Sequence, residues 1–74
     1  MIFPNPLTTQ ILNFSQSIEN TIISIFNQNG QLIEQEYLES TKNYSLKNYL
    51  TSGNYFVHFE NEQFTKTIQI IVIE

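Results

Sequence analysis

Cysteine, aspartate and arginine are all missing from this sequence of 74 residues. Without cysteine the chain can form no disulfide, no cysteine-ligated zinc site and no thiolate nucleophile. Its formal net charge is −4, and lysine is its only strongly basic residue. Phosphate neutralisation needs a basic surface, and arginine is the residue that most often reads guanine. We therefore expect no nucleic-acid partner, and we expect anionic membrane surfaces to be disfavoured as well.

Long apolar runs are also missing, since none approaches the ~20 residues that a membrane-spanning helix requires. The segment from Met1 to Asn13 has neither the basic start nor the long apolar centre of a signal peptide. We therefore expect no membrane insertion. We also expect the chain to be a fragment of a longer secreted precursor.

Hydrophobic residues make up 41% of the chain, which is enough for a small folded domain rather than a disordered segment. Short apolar runs alternate with turn signals at even spacing, a pattern typical of an all-β sandwich. The Asn29-Gly30 pair is the strongest turn signal, because both residue types tolerate positive φ. The predicted strands are residues 10–15, 21–27, 31–38, 44–46, 54–60 and 64–73. We predict one antiparallel β-sandwich of about seven strands that spans residues 1–74.

Acidic residues concentrate on the predicted strand 31–38, whose two faces differ in polarity only toward its end. This pattern favours a sheet edge, where Glu34 and Glu36 would point the same way and deter pairing with another molecule. Together with Glu39 they could suggest calcium, but no loop offers alternating oxygen ligands. We interpret them as solvated edge charges and expect no metal. A weak dimer through paired edges stays open.

Catalytic chemistry has little support in the sequence. His58 is the only histidine, and no acid or nucleophile is placed beside it by spacing, so we interpret it as an exposed strand residue. Gly30 and Gly53 are the only glycines, too few for a glycine-rich phosphate loop. We predict that the chain is not an enzyme and has no catalytic residue and no cofactor.

The tyrosines allow two interpretations. They could form a sugar-stacking platform, or they could pack in the core and keep their hydroxyls at its rim. We favour packing, but an immunoglobulin-like carbohydrate-binding or adhesive module remains the alternative function. The four residues are Tyr37, Tyr44, Tyr49 and Tyr55.

Three segments, in order, carry a family resemblance: Phe-Pro-Asn-Pro at residues 3–6, a strand entering a glycine hairpin at residues 25–33, and Leu-Thr-Ser-Gly-Asn-Tyr-Phe-Val at residues 50–57. Their order and spacing resemble the C-terminal sorting domain, type A, of the type IX (Por) secretion system of Bacteroidetes. The resemblance covers essentially the whole chain. The positions that match the family motifs are Pro4, Asn5, Pro6, Gly30, Leu50, Gly53, Tyr55 and Lys66.

The resemblance implies a seven-stranded immunoglobulin-like sandwich at the extreme C-terminus of a secreted cargo protein. It implies recognition by outer-membrane components of the secretion system and, usually, removal by a sortase that cuts upstream of Phe3. The cargo would reach the cell surface or the medium through the periplasm. The last strand departs from the family pattern, because Lys66 is its only basic residue.

Overall fold

The computed structural model describes residues 2–3 and 5–74, without the side chain of Phe3. Pro4, one of the predicted motif residues, lies outside the described residues. Every regular element within them is a β-strand, so the all-β prediction is confirmed. The strands are β1 (Ile2–Phe3), β2 (Ile11–Asn27), β3 (Leu32–Ser45), β4 (Gly53–Glu60) and β5 (Thr65–Val72).

All of these strands pair antiparallel in one continuous sheet. β2 is its centre: β3 runs along one edge of β2, while β1 and then β4 pair with the other edge. β4 in turn pairs with β5. Within the described residues β3 pairs only with β2, so the edge position predicted for residues 31–38 is confirmed.

Two pairs of predicted strands are joined in the structure, which has five strands in the described residues where about seven were predicted. Residues 10–15 and 21–27 belong to β2, and residues 31–38 and 44–46 fall largely in β3. A straight β2 would be roughly 56 Å long at about 3.3 Å per residue. The longest dimension of the whole domain is 32 Å. β2 and its partner β3 therefore bend back on themselves as a two-stranded ribbon.

The bend has a visible cause in the pairing of β2 with β3. Between the paired positions Asn13/Asn43 and Ile18/Thr41, residues 14–17 of β2 face Lys42 alone. Surplus residues on one strand form a bulge, which bends and twists that strand. Asn20, just beyond it, has a φ of +49°. The ribbon therefore turns within residues 14–20 without leaving the sheet.

The core lies between the two arms of the bent ribbon. Phe14 on the first arm meets Phe59 of β4 edge-on, with ring centroids 5.7 Å apart and planes at 81°, a favourable aromatic geometry. Period-two alternation in residues 54–60 predicts that Tyr55, Val57 and Phe59 face the core, and all three are buried. The same alternation places Phe64 on one face with Ile68, Ile70 and Val72, but Phe64 precedes β5 and is 43% exposed. The buried apolar residues are Ile2, Leu7, Leu12, Phe14, Ile23, Ile25, Leu38, Tyr44, Leu50, Tyr55, Val57, Phe59, Ile70 and Val72.

Candidate functional site

Three segments that are distant in sequence meet at one end of the sheet: residues 5–10, 49–55 and 69–74. Gly53 at the start of β4 pairs with Val72 at the end of β5. Leu7 forms a parallel bridge to the same Val72. We call these three segments the terminal junction. They bring the first and last parts of the described chain side by side.

The first segment of the terminal junction covers the outer edge of β5. The Leu7 amide donates to the Ile71 carbonyl at 2.6 Å, and the Ile73 amide donates to the Leu7 carbonyl at 2.9 Å. The side chain of Asn5 continues this ladder: its Oδ1 accepts from the Ile71 amide at 3.2 Å, and its Nδ2 donates to the Gln69 carbonyl at 3.4 Å. Asn5 thus uses its amide group as a neighbouring strand would use its backbone.

Leu7 anchors this cover, because its side chain is fully buried in the core. Pro6 lies between the two pairing residues and is exposed. Proline has no amide hydrogen, and the ladder to β5 uses none at this position. The Asn-Pro part of the predicted motif therefore has a structural role in closing the edge of the last strand.

The second segment is tied to the first by Gln10, a residue that no sequence pattern singled out. Its Oε1 accepts from the Leu50 amide at 2.9 Å, and its Nε2 donates to the Leu50 carbonyl at 3.4 Å. The side chain of Leu50 is buried. Leu50, a predicted motif residue, therefore holds the 49–55 segment against both the core and the N-terminal segment.

Gly53 and Tyr55 shape the entry to β4. The Tyr55 hydroxyl donates to the Thr51 carbonyl at 2.8 Å, while its ring is buried. Gly53 has a φ of +155°, and a Cβ there would lie 3.8 Å from the Tyr55 ring, an ordinary contact. Backbone conformation, not lack of space, thus favours glycine. The Glu74 amide donates to the Ser52 hydroxyl at 2.9 Å, which fastens the end of the chain here.

Gly30 lies in the turn between β2 and β3, at the same end of the sheet. Asn27 organises this turn: its Oδ1 accepts from the amides of Asn29 and Gln31 at 2.9 and 3.0 Å. Gly30 has a φ of +83°, in the left-handed region expected from the sequence. A Cβ at Gly30 would meet nothing within 4 Å, so the backbone angle alone favours glycine.

Lys66 is separated from the other motif residues. It lies near the opposite end of β5, where it pairs with Phe59. Its exposed side chain lines an open groove of about 320 Å³ beside the bend of β2. The structure thus groups the described motif residues at the terminal junction and the adjacent Gly30 turn, with Lys66 apart from them.

Glu34 differs from its predicted role as a solvated edge charge. It is buried, and Tyr44, a core residue, donates its hydroxyl to the Glu34 carboxylate. The amides of Lys47 and Asn48 donate to the same carboxylate at 3.2 and 2.9 Å, and the Asn48 side chain donates at 3.1 Å. The prediction was wrong because these donors reach Glu34 only after β3 bends back.

This environment sets the ionisation of both buried partners. Burial raises the pKa of Glu34, but the hydrogen bonds from Tyr44, Asn48 and Lys47 outweigh it and leave that pKa below its usual value. Burial and the neighbouring Glu34 carboxylate raise the pKa of Tyr44. Glu36 does keep an edge role and pairs with Lys47. Glu34 therefore holds the 46–50 connection onto β3 as a carboxylate.

The remaining candidates do not assemble a catalytic or ligand site. His58 is half-buried, and its Nδ1 lies 2.8 Å from the Thr67 hydroxyl. Tyr44 and Tyr55 are buried while Tyr37 and Tyr49 are exposed, so the four tyrosines do not form one sugar-stacking face. In residues 2–3 and 5–74 no group of three or more acidic or histidine side chains could hold a metal. That part of the chain also contains no apolar helix of membrane-spanning length.

The chain was compared with known protein families. A family model described as "Secretion system C-terminal sorting domain" matches residues 1–74, which include all three segments of the terminal junction. No curated protein matches the chain significantly.

Proposed function

The chain belongs to the family of secretion system C-terminal sorting domains, and on that premise we propose that its folded shape, not a linear peptide, is the export signal. Domains of this family direct the protein that carries them through the type IX secretion system. The chain is therefore a sorting signal, and its cargo is delivered across the outer membrane to the cell surface or the extracellular space.

The pairing of residues 5–7 with β5 is the observation that carries the proposal. The motif residue Asn5 and the buried Leu7 both bond to the last strand. Each end of the domain therefore contributes hydrogen bonds that hold the other in place. A receptor that reads this end of the domain would therefore meet residues far apart in sequence, and only in the folded state.

We also propose that the bent sheet corresponds to the seven-stranded immunoglobulin-like sandwich that the resemblance implies. The bend divides β2 and β3 into two arms each, and each arm then serves a different layer. Counting each arm as a strand gives about seven strands. The Phe14 and Phe59 contact supports this correspondence, because it joins the first arm of β2 to the layer that contains β4.

The partners follow from the same premise. We propose that residues 1–74 form a single domain excised from a larger precursor, that outer-membrane components of the secretion system read it, and that a sortase cuts upstream of Phe3. No feature of the described residues favours a catalytic role. A weak dimer through the edge of β3 is disfavoured near Glu36, where Asn48 donates to the Ile33 carbonyl and Lys47 pairs with Glu36.

Export of a fluorescent fusion tests the sorting function. We attach residues 1–74 through a flexible linker to a fluorescent protein targeted to the periplasm of a host that has the type IX system. We expect fluorescence in the medium or on the cell surface. A fusion that lacks residues 68–74 should stay in the periplasm, because Ile70 and Val72 are core residues. Retention of a stable full-length fusion would reject the sorting function.

A pair of neighbouring substitutions tests whether the fold or the linear sequence is read. Ile23 is fully buried, while Ile22 is 39% exposed, and both lie on β2 outside the terminal junction. Ile23→Asn places an unpaired amide in the core and should unfold the domain. Ile22→Asn makes the same chemical change next to it and should leave the domain folded and exported. Wild-type export of an unfolded Ile23→Asn variant would contradict the claim that the folded shape is the signal.

A further inference from the structure

The outer edge of β5 is only half covered. Asn5 and Leu7 bond to peptide groups of Gln69, Ile71 and Ile73 on that edge. Peptide groups along a strand alternate between its two edges. The amide and carbonyl of Thr65 and Thr67, and the amide of Gln69, therefore face the same outer edge. Within the described residues no strand pairs with this part of β5.

A groove lies directly beside this uncovered stretch. It has a volume of about 320 Å³ and extends from Lys66 and Ile68 on β5 to Ile18 at the bend of β2. Ile68 and Ile18 are partly buried, and Phe64 at the rim is 43% exposed. Two charges line it, Lys66 and Glu19. A strand added to β5 would direct every second side chain into this groove.

We propose that the edge of β5 from Thr65 to Gln69 is a strand-addition site for an extended segment of a protein of the secretion machinery. This proposal rests on the sorting function. Backbone hydrogen bonds would hold the added strand, and side-chain pockets would select it, as in other cases of strand addition. The groove would accept an apolar side chain of the added strand, and Lys66 would pair with a carboxylate on that strand. Lys66, the motif residue that lies apart from both the terminal junction and the Gly30 turn, thereby gains a recognition role.

Repulsion between lysine side chains disfavours pairing of β5 with a second copy of itself and so favours a strand from another protein. Two copies paired antiparallel through Thr67 would place their Lys66 side chains on the same face of the joined sheet. Like charges at such close positions are unfavourable, and an inward-facing lysine on an edge strand deters self-pairing. A strand that carries a carboxylate opposite Lys66 would meet no such repulsion.

Proline at position 67 tests the site. Thr67→Pro removes the outward amide hydrogen, which an added strand needs, and proline is tolerated on edge strands where the amide faces solvent. Thr67→Val is the matched control. Both substitutions remove the hydroxyl that lies 2.8 Å from His58 Nδ1, but valine keeps the backbone amide. In the fluorescent fusion, we expect Thr67→Val to be exported like wild type and Thr67→Pro to be exported at least about tenfold less.

Folding and self-association are measured alongside. Thermal melts of the two purified variants should agree within a few degrees. If Thr67→Pro does not fold, Thr65→Pro tests the same edge, because Thr65 is the first residue of β5, a position where proline is tolerated. If a folded proline variant is exported at the wild-type level, the strand-addition site is rejected and the sorting function is not. A wild-type dimer in sedimentation that Thr67→Pro dissolves would assign the edge to self-pairing and overturn the site too.

Failure of the sorting function has a different signature. If the wild-type fusion itself stays in the periplasm, both the sorting function and this site are rejected. If wild type and Thr67→Val are exported and the folded proline variant is retained, both are supported.

Discussion

Glu34 offers a sharp test of the fold, because one buried carboxylate joins β3 to the 46–50 connection. Its Oε2 accepts from the Tyr44 hydroxyl and the Lys47 amide, and its Oε1 accepts from the amide and the side chain of Asn48. Glu34→Gln keeps the shape but replaces one acceptor oxygen with a donor group. Two of the four donors then lose their acceptor.

The size of the effect follows from these contacts. A hydrogen bond to a charged group contributes about 1.5–3 kcal/mol, and a buried donor without an acceptor is costly. The Tyr44 hydroxyl can turn to accept from the new amide, which recovers part of the loss. We therefore expect Glu34→Gln to lower the free energy of unfolding by about 2–4 kcal/mol at pH 7. For a domain of this size each kcal/mol lowers the melting temperature by about 4–8 °C.

The dependence on pH gives the effect a second signature. The pKa of Glu34 is lowered in the folded state, so its stabilisation is fully present above the ordinary glutamate pKa of about 4.3. That stabilisation is lost as the pH falls through the still lower pKa of the folded state. The stability difference between wild type and Glu34→Gln should therefore shrink as the pH falls below about 4.

Urea unfolding of wild type, Glu34→Gln and Glu39→Gln at several pH values is the assay. Glu39 lies on the same strand and is exposed, so its variant has the same change in net charge without the buried contacts. It should change the free energy of unfolding by no more than about 0.5 kcal/mol. Equal losses in the two variants, or a Glu34→Gln effect that is constant from neutral to acid pH, would show that the Glu34 carboxylate does not stabilise the fold through these contacts.

Two further predictions concern the turn and the cover on β5. Gly30→Val should lower the melting temperature and cost about 1–3 kcal/mol through its φ of +83° alone, whereas Gly30→Asn, which tolerates that region, should cost less. Equal melting temperatures for the two variants would contradict this. Leu7→Ala should cost about 2–5 kcal/mol in urea unfolding, because Leu7 is fully buried. Asn5→Ala, which loses only exposed side-chain bonds, should cost about 1 kcal/mol. A larger loss for Asn5→Ala than for Leu7→Ala would show that the cover is not anchored by Leu7.

Features set by local sequence were predictable. The Asn29-Gly30 turn, the edge position of β3 and the inward face of β4 depend on residue type and period-two alternation. The bend of β2 does not. Residues 16–20 contain polar residues that suggest a loop between two strands, but the structure keeps them in β2, where the bulge of residues 14–17 ends and pairing with β3 resumes at Ile18. A bulge is defined by cross-strand register, which one strand's sequence does not contain.

Contacts between distant segments could not be predicted from the sequence either. A glutamate in a strand is normally exposed, and the donors to Glu34 come from residues 44–48, which the ribbon bend returns to it. Asn5 was selected through the family resemblance, but its partners lie more than sixty residues along the chain. The motif could be recognised in the sequence, but its role in covering β5 could be seen only in the folded structure.

The most direct measurement of the sorting function compares one fusion in two hosts. Residues 1–74 joined to a periplasm-targeted fluorescent protein are expressed in a host with an intact type IX system and in the same host without a functional one. We expect fluorescence in the medium or on the surface of the first host and in the periplasm of the second. The same distribution in both hosts would contradict it.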